Sequence, residues 1–214
     1  MIQDNRSGSD MIRKVTAGVT VIAAFVMWYL MFAVKPFNFW LMMSMTTSVM
    51  IIVATAVQRP LIRWEEFTAR NILTGIVSAF VLYGVFFLGD ILTSLILPTR
   101  AVEVTAVYDT RSLMHPALVG GLLLFPIGPG EELYWRGFLQ RFLGEKISSR
   151  MAFFIVVALY TGVHIPAGNI MLITAAFVCG IFWGGLYLAT GSIVPGLISH
   201  MIWDPLIFII LPVR

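Results

Sequence analysis

Six ionisable side chains stand in stretches that are otherwise apolar: Glu131, Glu132, Arg136, His164, His200 and Asp204. A charged residue at the centre of a membrane helix costs roughly 2.5–3.5 kcal/mol on insertion scales, so each is a functional suspect by default. Spacing assigns them different roles. Glu131 and Glu132 are neighbours, point about 100° apart on a helix and cannot share one task. Glu132 and Arg136 are four apart on one face, where pairing neutralises a charge in low dielectric and fixes the helix. Glu131 has Trp135 at its own i+4 position and no cation there, the situation of a carboxylate free to act as a general base. His200 and Asp204 are also four apart, so the carboxylate can orient the imidazole and select its tautomer. His164 lies between Gly162 and Pro166, near the end of a span. Asp90 is a weaker candidate. It falls about 27 Å along a helix from Ile72, near an interface, where a solvated helix end accounts for it.

The elements that must position these groups are membrane helices. The chain has 214 residues, 59% hydrophobic and 12% charged, with mean hydropathy +0.91. A soluble domain is about half apolar and about a quarter charged, so that class is excluded. About 20 apolar residues cross the roughly 30 Å hydrocarbon layer. Seven apolar stretches make up the set: 15–34, 37–57, 72–97, 117–139, 151–163 (short, with a start as early as 147), 170–189 and 193–211. The fourth is interrupted by Pro126 and Pro129. The fold class is therefore all-α, a polytopic membrane helical bundle of about seven transmembrane helices with a polar site inside the membrane, in a single domain over 1–214. The opening segment is too polar for a cleaved signal peptide and is expected to be an uncleaved first span.

Basic residues favour the cytoplasmic side. Arg6, Arg13, Lys14, Arg59, Arg63, Arg70, Arg141, Lys146 and Arg150 fall on one side, against Lys35, Arg100, Arg111 and Arg214 on the other, which predicts a cytoplasmic N-terminus. The net charge of +3 thus sits in membrane-flanking loops and gives no nucleic-acid footprint. Cys179, the single cysteine, excludes an internal disulfide and a cysteine-rich metal site. Residues 59–70 predict a short interfacial amphipathic helix, and the alternation of 101–108 predicts an extended segment. Gly180 and Gly184 have the small-xxx-small spacing of close helix contact. Rises of 1.5 Å per residue put Glu131 about 15 Å above Arg141 and His164 about 21 Å above Arg150. His200 and Asp204 lie about 12–18 Å above Ser192, so three helices bring polar groups to similar depth and predict one site.

At these residues the sequence resembles the CPBP family of CAAX proteases and bacteriocin-processing enzymes, whose type II prenyl endopeptidases are intramembrane proteases. Glu-Glu-x-x-x-Arg stands as Glu131-Glu132-Leu-Tyr-Trp-Arg136 and continues Gly137-Phe138-Leu139. Phe-x-x-x-His stands as Tyr160-Thr-Gly-Val-His164, with a Tyr for Phe change read as a ring packing beside the site. His-x-x-x-Asn/Asp stands as His200-Met-Ile-Trp-Asp204. The resemblance covers 117–211, the catalytic core it implies, and leaves the spans of 1–116 without a family signature. It implies peptide-bond hydrolysis in the membrane: Glu131 and His164 activate water, His200 stabilises the oxyanion, and Glu132 with Arg136 holds the helix. Asp204 stands where relatives have Asn; an ionised carboxylate cannot donate to an oxyanion, so its role is to orient His200.

The resemblance leaves two water-activation schemes. The favoured one is a metal-free glutamate protease with no cofactor; the other is a zinc or other divalent-metal site built from Glu131, His164 and His200. Rival functions are a non-catalytic bacteriocin-immunity or scaffold protein of the same family, and a proton-coupled transporter. The implied partners are the lipid bilayer and a membrane-associated protein or peptide. A prenylated tail, a leader peptide and a sorting-signal helix all remain open as substrates. The expected location is the plasma membrane of a bacterium or archaeon.

Overall fold

The computed structural model describes the backbone of residues 2–213 and the side chains of residues 10–213. Arg214 and the side chain of Arg6, both in the charge count, lie outside the described residues. Every described element is helical: α1 (Ile2–Tyr29), α2 (Phe39–Val57), α3 (Ala69–Ile96), α4 (Arg100–Asp109), α5 (Pro116–Leu122), α6 (Gly128–Glu132), α7 (Arg141–Gly144), α8 (Ser149–Gly162), α9 (Ile170–Thr190) and α10 (Val194–Pro205). Wider π-helical stretches extend α1 (Leu30–Val34), link α5 to α6 (Leu123–Ile127), link α6 to α7 (Leu133–Gln140) and extend α10 (Leu206–Ile210). The chain is a multi-pass, all-α membrane protein, and the expected count of seven spans is approximate. Among the described residues five helices are long and apolar enough to cross: Asp10–Val34, Phe39–Val57, Ala69–Ile96, Ser149–Ala167 and Ile170–Thr190. A sixth is the bent pair Arg100–Leu113 and Pro116–Gly144, and the last apolar helix, Val194–Ile210, is shorter.

Side chains set the helix ends. Thr68, Ser148 and Asn169 cap α3, α8 and α9 by accepting from the backbone N–H groups of Asn71, Met151 and Leu172. Ser148 as cap places the start of α8 after residue 147. α1 starts well before the expected span at residue 15, because Lys14 pairs with Asp10 one turn earlier and Arg13 with Glu145 of the facing loop.

Two local expectations fail. Residues 101–108 are not extended but lie in α4, where Glu103 accepts from Thr99 Oγ1 and from the Met171 backbone N–H, tying the helix to the start of α9. Val104, Val107 and Tyr108 then form one inward stripe at i, i+3, i+4, and that period overrides the apparent alternation. Residues 59–70 are not an interfacial helix. They contain a single 3-10 turn, Trp64–Glu66, before α3 begins. Glu66 carries the reason: its carboxylate accepts from Ser192 Oγ at 2.7 Å and the Ile193 N–H at 3.1 Å, and it pairs with Arg63, so the segment is pinned to the start of α10.

Packing is closest between α3 and α10 and between α8 and α9. Gly75 is where α3 meets α10; a Cβ there would lie 2.7 Å from Ile198 Cβ and 2.9 Å from the Pro195 carbonyl, so only glycine permits the approach. Gly180 and Gly184 seat α9 against Tyr160 and Phe153 of α8 and offer their carbonyls to Arg136 Nη2 and Gln140 Nε2. The N-terminal helices are continuous with this core: Thr20 of α1 accepts from the Tyr134 hydroxyl at 2.9 Å, and Trp28 and Trp40 are buried.

Candidate active site

The fourth apolar stretch breaks at Phe125, whose backbone is extended (φ −152°, ψ 122°), just before Pro126. The helix restarts at Gly128-Pro129-Gly130, so Glu131 lies in the first turn of a half-helix at membrane depth. Unpaired backbone N–H groups at such a start favour negative charge. The chain then runs on as the π-helical stretch Leu133–Gln140, a wider winding frequent at functional sites. Opposite it, His164 follows the end of α8, two residues past Gly162, and α10 presents His200 and Asp204.

All six candidate residues are buried: Glu131 is 4% exposed, Glu132 and Arg136 1%, His164 7%, His200 3% and Asp204 9%. The Tyr160 hydroxyl donates to Glu131 Oε2 at 2.6 Å, while Oε1 is buried with no hydrogen-bond partner among the described residues. His164 Nδ1 lies 2.7 Å from the Tyr160 carbonyl. A carbonyl only accepts, so Nδ1 donates and Nε2 is the nitrogen left for other partners. The ring is walled by Trp28 and Phe32 of the first helix and by Tyr160.

The Glu132–Arg136 pair expected from spacing forms, with Nη1 to Oε1 at 2.9 Å, and the guanidinium lies 4.8 Å from the Tyr160 ring centre. Glu132 does more than this. Its Oε1 also lies 3.1 Å from His200 Nδ1, while His200 Nε2 lies 3.3 Å from Asp204 Oδ2. The imidazole is therefore held between two carboxylates, and its face stacks on Trp183 at 3.7 Å with 16° between planes. Gly196 makes room for this, since a Cβ there would meet Glu132 Oε2 at 2.8 Å.

Glu131, His164, His200 and Asp204 line one cavity of about 820 Å³, together with Tyr160, Cys179 and Trp183. Glu132 and Arg136 stand behind its wall. A second, apolar cavity of about 320 Å³ between α3, α4, α9 and α10 meets the first at Trp203 and Asp204. Among the described residues no three His, Cys, Asp or Glu side chains are placed to hold a metal ion. Asp90 is not a solvated helix end but pairs with Arg100, and both side chains are largely buried.

Sequence reasoning missed two members of the site. Tyr160 does more than pack its ring beside the site, since its hydroxyl binds the carboxylate; a phenol in an apolar helix seeks a partner, which is the available signal. Trp183 lay inside the glycine spacing and gave no signal of its own.

Comparison with curated proteins and with solved structures returned no match. Residues 110–206 match the family model described as Type II CAAX prenyl endopeptidase Rce1-like, a stretch holding all three motifs and every candidate residue named above apart from Asp90. Over residues 110–206, a little under half of its length, the chain is thus similar to the type II CAAX prenyl endopeptidase Rce1-like family, which supports the resemblance drawn from the three motifs.

Proposed function

We propose that the protein is an intramembrane endopeptidase of the glutamate type, hydrolysing a peptide bond of a membrane-associated polypeptide. Glu131 carries the reading: one carboxylate oxygen is held by Tyr160 and the other is unpartnered on a cavity wall that His164 and His200 share. A water on Oε1 passes its proton to the carboxylate as its oxygen attacks the scissile carbonyl carbon. His164 Nε2 is the acceptor that orients the same water. The developing oxyanion falls to His200 on its Asp204 edge. That edge lines the cavity, and its 3.3 Å contact is long for a charge-assisted bond, leaving the N–H available to substrate. When the C–N bond breaks, Glu131 returns the proton to the leaving amine. Glu132 and Arg136 hold His200 and the half-helix in place. The chemistry uses side chains alone and no cofactor.

The same proposal places the N-terminus in the cytoplasm and the protein in the cell membrane, on the nine-to-four bias of basic residues. Cells making the wild type should contain polypeptide termini that are missing in matched cells making Glu131→Gln, as read by terminal proteomics. Identical sets of termini would overturn the proposal.

Tyr160 is a positioning residue in this scheme. A hydrogen bond to a charged group contributes about 1.5–3 kcal/mol, so Tyr160→Phe should lower kcat by roughly tenfold or more. KM should stay near wild type, a split that loss of packing would not give, while the melting temperature falls because a buried carboxylate oxygen loses its donor.

A further inference from the structure

Asp204 leaves the oxyanion site short of a donor. An ionised carboxylate only accepts, so within the His200–Asp204 pair the imidazole N–H is the one group that can donate to a developing negative oxygen. Sites that stabilise such an oxygen converge several preorganised donors on it. Most other donors lining the cavity are committed: the Tyr160 hydroxyl to Glu131, His164 Nδ1 to the Tyr160 carbonyl, Trp40 Nε1 to the Thr110 carbonyl and Trp183 Nε1 to Ser199 Oγ at 3.1 Å. The Cys179 thiol is only a weak donor.

Trp203 is not committed. It lies three residues after His200 on α10 and directly before Asp204, so the three side chains share a helix face. With Asp204 it lines both the catalytic cavity and the apolar cavity of about 320 Å³ beside it. The residue is 8% exposed, and its Nε1 is buried without a hydrogen-bond partner among the described residues. An indole nitrogen can only donate, and when buried it ordinarily finds an acceptor, because an unpaired donor costs free energy. Trp28 and Trp135 also leave Nε1 unpaired, but neither lines either of these cavities. Neighbouring rings fix the plane of Trp203 in advance: it meets Trp183 edge to face at 5.6 Å and 81°, and Phe86 of α3 at 4.7 Å and 63°. Because Trp183 also stacks on His200, one indole holds both the imidazole and Trp203.

We infer that Trp203 is a second catalytic donor, its Nε1–H sharing with the His200 N–H the negative charge that develops on the scissile carbonyl oxygen. This deepens the proposed hydrolysis and rests on it. As the oxygen of water bonds to the carbonyl carbon, the π pair moves onto the carbonyl oxygen, and two N–H groups from one helix face stabilise it until the pair returns and the C–N bond breaks. An aspartate at position 204 is then accounted for, since it orients His200 while its neighbour donates. An interaction made only in the transition state raises kcat and leaves KM unchanged.

Exchanging Trp203 for 3-benzothienylalanine tests this, because the bicyclic ring is kept and sulfur replaces the N–H. Full-length protein is assayed on a substrate found by terminal proteomics. Loss of one oxyanion donor should lower kcat by about 10²–10³-fold. KM should stay near wild type, and the melting temperature should not fall, because in the free protein the N–H has no partner to lose. Trp203→Phe, which also lacks the N–H, should be at least as slow. The benzothienyl exchange at Trp135, equally unpaired but outside the cavities, should leave kcat within a few-fold of wild type. Turnover of the Trp203 benzothienyl variant within a few-fold of wild type, or a lower melting temperature with kcat unchanged, overturns the inference and leaves the hydrolase reading standing. Equal cleavage by wild type and Glu131→Gln overturns the hydrolase reading beneath it.

Discussion

Glu131→Gln should abolish cleavage, with a loss of about 10²–10⁴-fold, the range that general acid–base groups contribute. The substitution keeps the side-chain volume, and the amide oxygen can still accept from the Tyr160 hydroxyl, so the fold should persist and the melting temperature should stay close to wild type. What is lost is the oxygen that takes the proton of water. Turnover within a few-fold of wild type would remove Glu131 from the role of base. His164→Ala and His200→Ala should be inactive for different reasons, loss of water orientation and loss of the oxyanion donor.

Arg136→Met should cause the largest loss of stability. Removing one partner of a buried ion pair leaves the other charge uncompensated, at a cost of about 3–5 kcal/mol. Here Glu132 would retain only His200, and the contacts of the guanidinium with the Gly180 carbonyl and the Tyr160 ring would go too. Thermal unfolding in detergent reads the effect. Adding Glu132→Gln to Arg136→Met should restore much of the stability, because the stranded charge is gone, but not the activity, because His200 loses an anchor. A single Arg136→Met variant that melts like wild type would contradict the pairing.

Contacts within one helix were legible in the sequence, because i and i+4 share a face whatever the helix packs against. Glu132–Arg136 and His200–Asp204 are of this kind. Apolar runs likewise fixed the order of the helices, and Pro126 with Pro129 marked the broken one. Contacts between helices depend on rotation and depth, which local periodicity does not encode. Glu132 to His200 spans 68 residues and Tyr160 to Glu131 spans 29, so neither could be read from spacing. Short polar segments failed for a related reason. Glu66 and Glu103 look like surface charge in sequence, yet their carboxylates fasten the starts of α10 and α9, and those distant bonds decide the local conformation.

The central claim is that Glu131 and His164, from different helices, act on one water. Single-turnover cleavage of a substrate found by terminal proteomics, with Glu131→Gln, His164→Ala and the two combined, tests it most directly. Groups acting as a unit are strongly non-additive, so the double variant should be about as slow as the slower single variant. Losses that multiply would mean the two side chains serve separate steps, and the shared-water account would be wrong.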